Sequence, residues 1–195
     1  NKIIKFEKKL NLVGLGNQSS RNGNIFTGDL ILKNDVFSDI LLNDDLLKIP
    51  EILLKKFNLS EYKVISSYKF SDSKYWWHRD HPFYDFSQTD DINIGILIPL
   101  IDFNKEVGST VFIPKSHKLN RKPENLIETE SFSNQEYLET KLGDIFIYDG
   151  KLIHSGSPNN IDKIRSLVSI QFVKKYVIPC ENMKLQYTQS NKKNN

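Results

Sequence analysis

The sequence predicts a mainly β protein, a sandwich or barrel, with helices packed on its outside near the N terminus. The first observation is a series of short runs rich in β-branched and aromatic residues, separated by turn residues such as Gly143-Asp144 and Asp149-Gly150. The second is a stretch of helical periodicity ahead of these runs. The third is the length of 195 residues, which suits one domain with its own core.

The segment from Val36 to Phe57 is predicted to form one or two helices, because leucine and isoleucine recur at intervals of three and four residues. Asn43 or Asp44 can cap a helix, and Pro50 suits the first turn of another. Residues 1–25 contain a short alternation followed by a polar loop, and no regular element is assigned to them.

The remainder of the chain is predicted to be β-structure with two polar loops. The loop 81–91 follows a candidate strand directly and can form part of the mouth of a site, and the charged stretch 114–141 reads as a surface loop with a short helix. The candidate strands are Tyr62–Phe70, Lys74–Asp80, Ile92–Leu100, Ser109–Ile113, Ile145–Tyr148 and Ser166–Lys174.

These elements predict a single domain over residues 1–190. Its N-terminal part, 1–60, is helical or irregular, its β-core covers 61–178, and the tail 190–195 is expected to be disordered. No internal repeat divides the chain.

Composition gives no support to several classes of function. The net charge of +3 is not gathered into a dense basic stripe, so nucleic-acid binding has no support. No apolar run approaches the roughly 18–20 residues of a membrane span, and the N-terminal stretch lacks the pattern of a signal peptide. Cys180 is the one cysteine, which excludes an internal disulfide and fits a reducing compartment. We therefore expect a cytoplasmic protein.

Three residues carry the strongest chemical signal. His78 and Asp80 are separated by one residue, and His154 follows much later. On a β-strand, residues i and i+2 point to the same face, so His78 and Asp80 can reach one metal while Arg79 points away. Two histidines and one carboxylate match the facial triad of non-haem Fe(II) oxygenases, which leaves the other metal positions open.

Arg165 adds a second signal, eleven residues after His154 at the start of an apolar run. An iron site that uses 2-oxoglutarate needs a buried cation for the far carboxylate of that cosubstrate. The planar guanidinium can pair with a carboxylate through two parallel hydrogen bonds. We expect His154 and Arg165 to lie on neighbouring strands; the competing interpretation of Arg165 is a surface ion pair with Asp162.

From about Tyr62 to Val173 the chain resembles the phytanoyl-CoA dioxygenase family of Fe(II)/2-oxoglutarate oxygenases. The resemblance implies a double-stranded β-helix, the cupin-like jelly roll, with Fe(II), 2-oxoglutarate and O2 as cofactor and cosubstrates. It also implies that 2-oxoglutarate becomes succinate and CO2 while a second substrate is hydroxylated. The segments that carry the resemblance are His78-Arg79-Asp80, Gly108–Lys118 (GSTVFIPKSHK), Gly143-Asp144, and His154 followed by Arg165.

The chain departs from the family pattern at two positions. Lys115 stands where the family usually has Gly in a Pro-Gly-Ser-His stretch. Gly156 stands where many members carry a Ser or Thr that helps to hold the cosubstrate; Ser155 or Ser157 can take over, and Ser157 is assigned to cosubstrate binding.

Other residues are weaker candidates. Trp76 should share a face with His78, so it is a candidate for substrate contact, and Ser67 on the preceding strand is a candidate hydroxyl for the cosubstrate. His81 competes as a ligand but should point to the opposite face. His117 fits a structural role at a turn.

We therefore predict an Fe(II)- and 2-oxoglutarate-dependent dioxygenase that hydroxylates a small molecule. Related halogenases lack the carboxylate ligand and bind halide in its place, so Asp80 favours hydroxylation or a related oxidation such as desaturation. The alternatives are a hydroxylase of a macromolecule (a protein, a nucleic acid or a lipid-linked sugar), a metal-binding jelly roll without turnover, and a cupin-type metalloenzyme that does not use 2-oxoglutarate.

Overall fold

Two antiparallel β-sheets pack against each other in the computed structural model of the chain, and helices cover the outside of the larger sheet. The predicted mainly β class is confirmed. Neither of the described helices is long and apolar enough to cross a membrane. The cytoplasmic location and the single-domain boundaries stay predictions. The structure describes residues 18–21, 23–70, 75–80, 92–119 and 132–179.

The larger sheet has the strand order β1-β2-β3-β9-β4-β7, and the smaller has the order β6-β5-β8. In chain order the strands are β1 (Gln18–Arg21), β2 (Asn24–Thr27), β3 (Phe57–Ser67), β4 (Asn93–Pro99), β5 (Thr110–Phe112), β6 (Glu136–Tyr137), β7 (Phe146–Asp149), β8 (His154–Gly156) and β9 (Arg165–Lys174).

Two helices follow β2, as the periodicity predicted. Helix α1 covers Asp35–Leu41 and helix α2 covers Asp44–Leu54. The side chain of Asn43 accepts a hydrogen bond from the backbone N–H of Leu46 at 3.1 Å, which confirms it as the cap of α2. Pro50 was wrongly placed in a first turn: because Asn43 already starts the helix, Pro50 lies in its interior. Its ring is buried, which offsets part of the loss of one intrahelical bond.

The long strands β3 and β9 have one apolar face that packs on the helices and one mixed face that turns towards the smaller sheet. They pair along their full length, with Tyr62 opposite Ile170 and Lys63 opposite Ser169. The face that carries Tyr62 packs on the helices, and the Tyr62 hydroxyl donates to the Phe37 carbonyl at 2.8 Å. The opposite face carries Lys63 and turns towards the smaller sheet, because side chains alternate along a strand.

The predicted strand Lys74–Asp80 is wrong as a regular element. Among its described residues, 75–80, only His78 pairs with another strand, in an isolated bridge to His154. The neighbouring residues are held by side-chain contacts instead: the Ser155 hydroxyl accepts from the Trp76 N–H at 2.6 Å. The bridge nevertheless extends the smaller sheet by one segment beside β8.

Three short strands were not predicted: β1, β2 and β6. Each has two to four residues, too few for a visible alternation in the sequence. A strand that carries His154 was expected without bounds, and β8 is that strand. Strand β6 falls in the stretch 114–141, which was interpreted as a loop with a short helix; a 3-10 turn at Ser116–Lys118 is the helical part. The expected mouth loop 81–91 and tail 190–195 lie outside the described residues.

Candidate active site

The two histidines of the predicted triad are brought together by backbone pairing. His78 and His154 face each other in an antiparallel bridge, and each backbone N–H donates to the carbonyl of the other at 3.0 Å. Their rings lie 4.3 Å apart between centroids. The main chain therefore fixes both rings on the same side of the smaller sheet.

Asp80 completes the triad from the end of the same segment. Its backbone N–H donates to the Gly150 carbonyl at 2.9 Å, which holds it in place although it is not in a regular strand. Its Oδ1 lies 3.9 Å from the Nε2 of His78 and 3.8 Å from the Nε2 of His154. One ligand atom from each of the three residues lies within 4.8 Å of the others, a donor set that suits a divalent transition metal.

The hydrogen bonds of the imidazoles prepare both rings for a metal. Nδ1 of His78 lies 2.8 Å from the Trp76 carbonyl, and Nδ1 of His154 lies 2.9 Å from the Leu152 carbonyl. A carbonyl can only accept, so both Nδ1 atoms carry a proton, and in the neutral form of each ring Nε2 presents a lone pair. This is the tautomer that a metal ligand requires, so both rings fit the divalent metal that the donor set suggests.

The surroundings of His78 and Asp80 favour the protonation states that metal binding needs. Burial, with His154 alongside, lowers the pKa of His78 to about 4, so this ring is neutral at neutral pH. Burial opposes the ionisation of Asp80, but the two histidines and the Tyr148 hydroxyl outweigh it and hold the pKa of Asp80 below its usual range. The neutral His78 ring and the Asp80 carboxylate are thus available to a metal without the removal of a proton.

Arg165 is the first residue of β9 and is buried in the larger sheet, which faces the sheet that carries His154. Its guanidinium stands 5.8 Å from the ring centroid of Phe103, and its Nη2 donates to Oδ1 of Asn24 at 3.3 Å. Asp162 pairs with Lys69 at 2.7 Å, so the surface ion-pair interpretation of Arg165 is not what the structure shows. Strands β8 and β9 belong to different sheets and are not neighbours; they meet across the interior.

Gly156 lies beside this guanidinium. A Cβ added at Gly156 would stand 3.7 Å from Nη2 of Arg165 and 3.9 Å from Nδ2 of Asn24, which is ordinary van der Waals contact. The position is therefore next to the anchor and has room for a small side chain, and Asn24 provides the polar group there.

Two serines were predicted to hold the cosubstrate, and they lie in different surroundings. Ser67 pairs directly with Arg165 across β3 and β9, and its buried hydroxyl makes no hydrogen bond with any described residue. The Ser157 hydroxyl donates to the Ser109 carbonyl at 2.7 Å, so its proton is engaged. Both roles stay predictions, and Ser67 is the better placed of the two.

The aromatic residues before His78 alternate as expected. Trp76 is half-buried, and its ring centroid lies 5.5 Å from that of His78. Trp77 is fully buried on the other side, where Tyr75 stacks on it at 5.8 Å. Substrate contact by Trp76 stays a prediction, although its position beside a metal ligand agrees with it.

The PKSHK stretch braces the distal histidine. The Ser116 hydroxyl accepts from the backbone N–H of Ile153, at 2.8 Å, one residue before His154. Lys115 keeps a left-handed backbone, with φ 63°, which explains the usual glycine at this position. Arg79 points away from the triad and donates to the carbonyls of Ser116 and Leu119. His117 lies in the 3-10 turn and does not join the triad; His81 lies outside the described residues.

Sequence reasoning missed three residues of the site: Tyr148, Gly95 and Asn24. The Tyr148 hydroxyl donates to Oδ2 of Asp80 at 2.6 Å. Gly95 lies opposite Tyr148 across β4 and β7. A glycine within an otherwise apolar strand is a signal of close approach and could have drawn attention to this place; nothing in the sequence singles out Asn24.

A jelly roll with two histidines and one aspartate around a common point defines the class of non-haem metal oxygenases. The model of the family described as phytanoyl-CoA dioxygenase matches residues 19–167, and the chain belongs to this family. Its cofactor is Fe(II), and its cosubstrates are 2-oxoglutarate and O2.

Sequence relatives include two fungal dioxygenases. Dioxygenase hkm4 from Aspergillus hancockii is 33% identical over 113 residues, which are 54% of this chain and 35% of that protein. Dioxygenase easH from Epichloe festucae var. lolii is 28% identical over 108 residues, or 53% of this chain and 56% of that protein. The matched segments thus span about a third to a half of these relatives.

Solved structures show the same fold. HygX from Streptomyces hygroscopicus, with nickel, 2-oxoglutarate and hygromycin B bound, has a TM-score of 0.67 at 18% identity and covers 88% of this chain and 79% of HygX. The epimerase SnoN, in complex with Fe3+, alpha ketoglutarate and nogalamycin RO, has a TM-score of 0.68 at 16% identity. The match covers 89% of this chain and 73% of SnoN. The predicted jelly roll is confirmed.

Proposed function

We propose that this chain is a dioxygenase that hydroxylates a small molecule, with conversion of 2-oxoglutarate to succinate and CO2. The observation that carries the proposal is the convergence of His78, Asp80 and His154, whose ligand atoms lie within 4.8 Å of one another. Both imidazoles already expose Nε2 as a lone-pair donor. This arrangement suits Fe(II) with one face of the metal left open.

His78, Asp80 and His154 would hold the iron, and the iron with 2-oxoglutarate would supply the oxidising chemistry when bound. The protein supplies the geometry. The bridge between the histidines fixes two donors through the main chain, and the Gly150 carbonyl fixes the third through the N–H of Asp80. Fixed donors lower the reorganisation needed on binding.

The far carboxylate of 2-oxoglutarate would be held at the opposite wall. Arg165 offers a planar pair of donors in a buried place, where a charge-assisted hydrogen bond is stronger than at a surface. The buried hydroxyl of Ser67 stands on the adjacent strand in register with Arg165 and can donate to the same carboxylate. Asn24 holds Nη2 of Arg165 and presents its amide on the Gly156 side.

The substrate is proposed to be small and polar. Lys63 and Glu61 form an ion pair on the inner face of β3, and each side chain is less than a quarter exposed. The charge of Lys63 acts on both His78 and Asp80, so this pair lies close to the metal position. HygX and SnoN have small molecules bound in their solved structures. A charged pair beside the metal favours a substrate with polar groups over a purely apolar chain.

Cosubstrate turnover tests this function. Purified protein with Fe(II), O2 and 2-oxoglutarate should release succinate, and release should rise with a polar small-molecule substrate from a screening panel. Asp80→Ala should abolish succinate release, whereas Asp102→Ala, which removes an exposed carboxylate remote from the triad, should leave it unchanged. Product mass separates hydroxylation from desaturation or epimerisation.

Other outcomes would favour the alternatives. Stimulation only by proteins, nucleic acids or lipid-linked sugars would replace the small-molecule substrate with a macromolecule. Metal binding without any 2-oxoglutarate consumption would overturn the proposal in favour of a binding protein or a cupin-type enzyme of other chemistry.

A further inference from the structure

Tyr148 occupies a place that the larger sheet clears for it. It lies opposite Gly95 in the pairing of β7 with β4, and Gly95 in turn lies opposite Gln171 in the pairing with β9. A Cβ on Gly95 would stand 2.1 to 2.4 Å from the Cζ, Cε1 and Oη atoms of Tyr148, which no side chain could tolerate. The phenol ring therefore lies flat on the glycine, and only glycine permits this.

From this place the ring reaches the third metal ligand. The Tyr148 hydroxyl donates to Oδ2 of Asp80 at 2.6 Å, and the ring stands edge-on to His154 at 5.0 Å between centroids. The hydroxyl is a donor because burial and the Asp80 carboxylate raise the pKa of Tyr148 far above its usual value. Oδ2 is thus engaged, while Oδ1 is the oxygen that faces both Nε2 atoms.

We propose that Tyr148 is a positioning residue that holds Asp80 as a one-oxygen metal ligand, and that Gly95 is the feature of the sheet that admits it. The inference rests on the proposed metal site. A carboxylate can bind a metal through one oxygen or two, and the second mode would occupy a position that the cosubstrate or O2 needs. By holding Oδ2 with a strong hydrogen bond, Tyr148 fixes the rotation of the carboxylate and keeps that position open.

Metal titration of Tyr148→Phe tests the inference without reference to turnover. Phenylalanine keeps the ring on Gly95 and removes only the hydroxyl, so the packing is preserved. Ni(II), which is stable in air, should bind this variant about 10- to 100-fold more weakly than wild type, the usual effect of losing a partner that orients a metal ligand. Tyr62→Phe is the matched control, because it removes a buried hydroxyl that bonds to Phe37 on the other face of the sheet.

A second variant tests the role of Gly95, the residue of β4 on which the Tyr148 ring packs. Gly95→Ala leaves Tyr148 chemically intact but displaces its ring, and it should weaken Ni(II) binding to a similar degree. Thermal unfolding of each metal-free variant reports whether the fold is retained. If Gly95→Ala does not fold, Tyr148→Phe alone decides the question.

The outcomes separate the inference from the proposed function. If wild-type protein binds no Ni(II), the metal site itself is wrong. If wild type binds Ni(II) and Tyr148→Phe binds it equally or more tightly, only the role of Tyr148 is overturned. A loss of thermal stability in Tyr148→Phe with unchanged Ni(II) affinity would likewise assign the hydroxyl a structural role and overturn the inference.

Discussion

The proposed metal ligands and the proposed anchor, Arg165, lie on facing sheets, and the chain builds these two ends of the site by different means. The metal end is assembled by a short segment, 75–80, that is locked onto β8 through a single bridge. The anchor end is assembled by the register of long strands, with Arg165 opposite Ser67 and Asn24 opposite the same serine from β2. The metal end thus depends on individual contacts, whereas the anchor end depends on the larger sheet as a whole.

This difference predicts which substitutions are severe. At the metal end each ligand is irreplaceable, because three donors define the site. At the anchor end several groups are proposed to share the cosubstrate carboxylate, so the loss of one group should weaken cosubstrate binding only in part. Under this proposal the chain can have Gly156 where many members of the family have a hydroxyl, because Asn24 on β2 of the facing sheet can provide a substitute polar group.

The largest effect is expected at Asp80. Asp80→Ala removes one of three ligands, so Ni(II) or Fe(II) affinity should fall by more than the roughly 10- to 100-fold typical of losing an outer-shell partner. Calorimetric titration with Ni(II) measures this, with Asp102→Ala as the remote control. Retention of wild-type affinity by Asp80→Ala would mean that the metal is held elsewhere, and the comparison of the two ends would fail.

A smaller effect is expected at Asn24. If its amide substitutes for the missing hydroxyl, Asn24→Ala should weaken 2-oxoglutarate binding to the Ni(II) protein by about 10-fold, the value of one hydrogen bond to a charged group. Metal affinity should not change. The matched control is Asn58→Ala, which removes an exposed amide that donates to the carbonyl of Lys175 at the far end of β3.

Gly156→Ser sharpens the same test. Its Cβ fits beside Nη2 of Arg165 without a clash, so Asn24→Ala/Gly156→Ser should recover part of the lost 2-oxoglutarate affinity. No recovery, together with no effect of Asn24→Ala, would show that Arg165 acts without help from β2.

Acid should destabilise the metal-free protein through the metal end. The pKa of His78 is lowered from 6.5 to about 4, so between these values the unfolded chain binds more protons than the folded one. The contribution of His78 to the free energy of unfolding is therefore fully present above pH 6.5 and declines as the pH falls towards 4. The pKa of Asp80 is also lowered, so its contribution is lost at still lower pH. Thermal unfolding in the presence of a chelator, from pH 7 to pH 4, checks this.

The matched variant for the pH dependence is His78→Asn, which cannot titrate. Its unfolding temperature should fall less steeply over the same range. A slope equal to that of wild type would indicate that other groups cause the acid sensitivity.

The smallest effect is expected at Lys115. A left-handed backbone destabilises a residue that has a Cβ by about 1 kcal/mol, and glycine removes this strain. Part of the gain is lost again, because glycine gives the unfolded chain more conformational entropy. Lys115→Gly should raise the unfolding temperature by no more than about 2–4 °C and leave the site unchanged. Lys118→Gly, outside the left-handed region, should lower it. A destabilised Lys115→Gly would mean that the lysine side chain contributes more than the strain costs.

The sequence predicted the metal end more completely than the anchor end, and the reason is physical. His78, Asp80 and His154 are recognisable because metal ligation restricts residue type and spacing, even though the predicted strand around His78 is only a bridge. Asn24 on β2 contacts Arg165 on β9, and Tyr148 on β7 contacts Asp80 at the end of the segment 75–80. Such contacts depend on cross-strand register, which short strands do not reveal in one sequence.

The fold shows the same division. The long strands β3, β4 and β9 were predicted, because they have enough residues for an apolar pattern, and so were the two helices. The bounds of β1, β2, β6 and β8, which have two to four residues each, were not predicted, and two of these strands bring Asn24 and His154 to the site.

Visible absorption under anaerobic conditions tests the central claim most directly. Fe(II) protein titrated with 2-oxoglutarate should develop a charge-transfer band that requires both components. The band should need much more cosubstrate in Arg165→Ala and in Arg165→Lys, which keeps the charge but loses the planar fork, while Lys69→Ala should behave as wild type. A wild-type protein that binds Fe(II) but develops no band with 2-oxoglutarate would contradict the account.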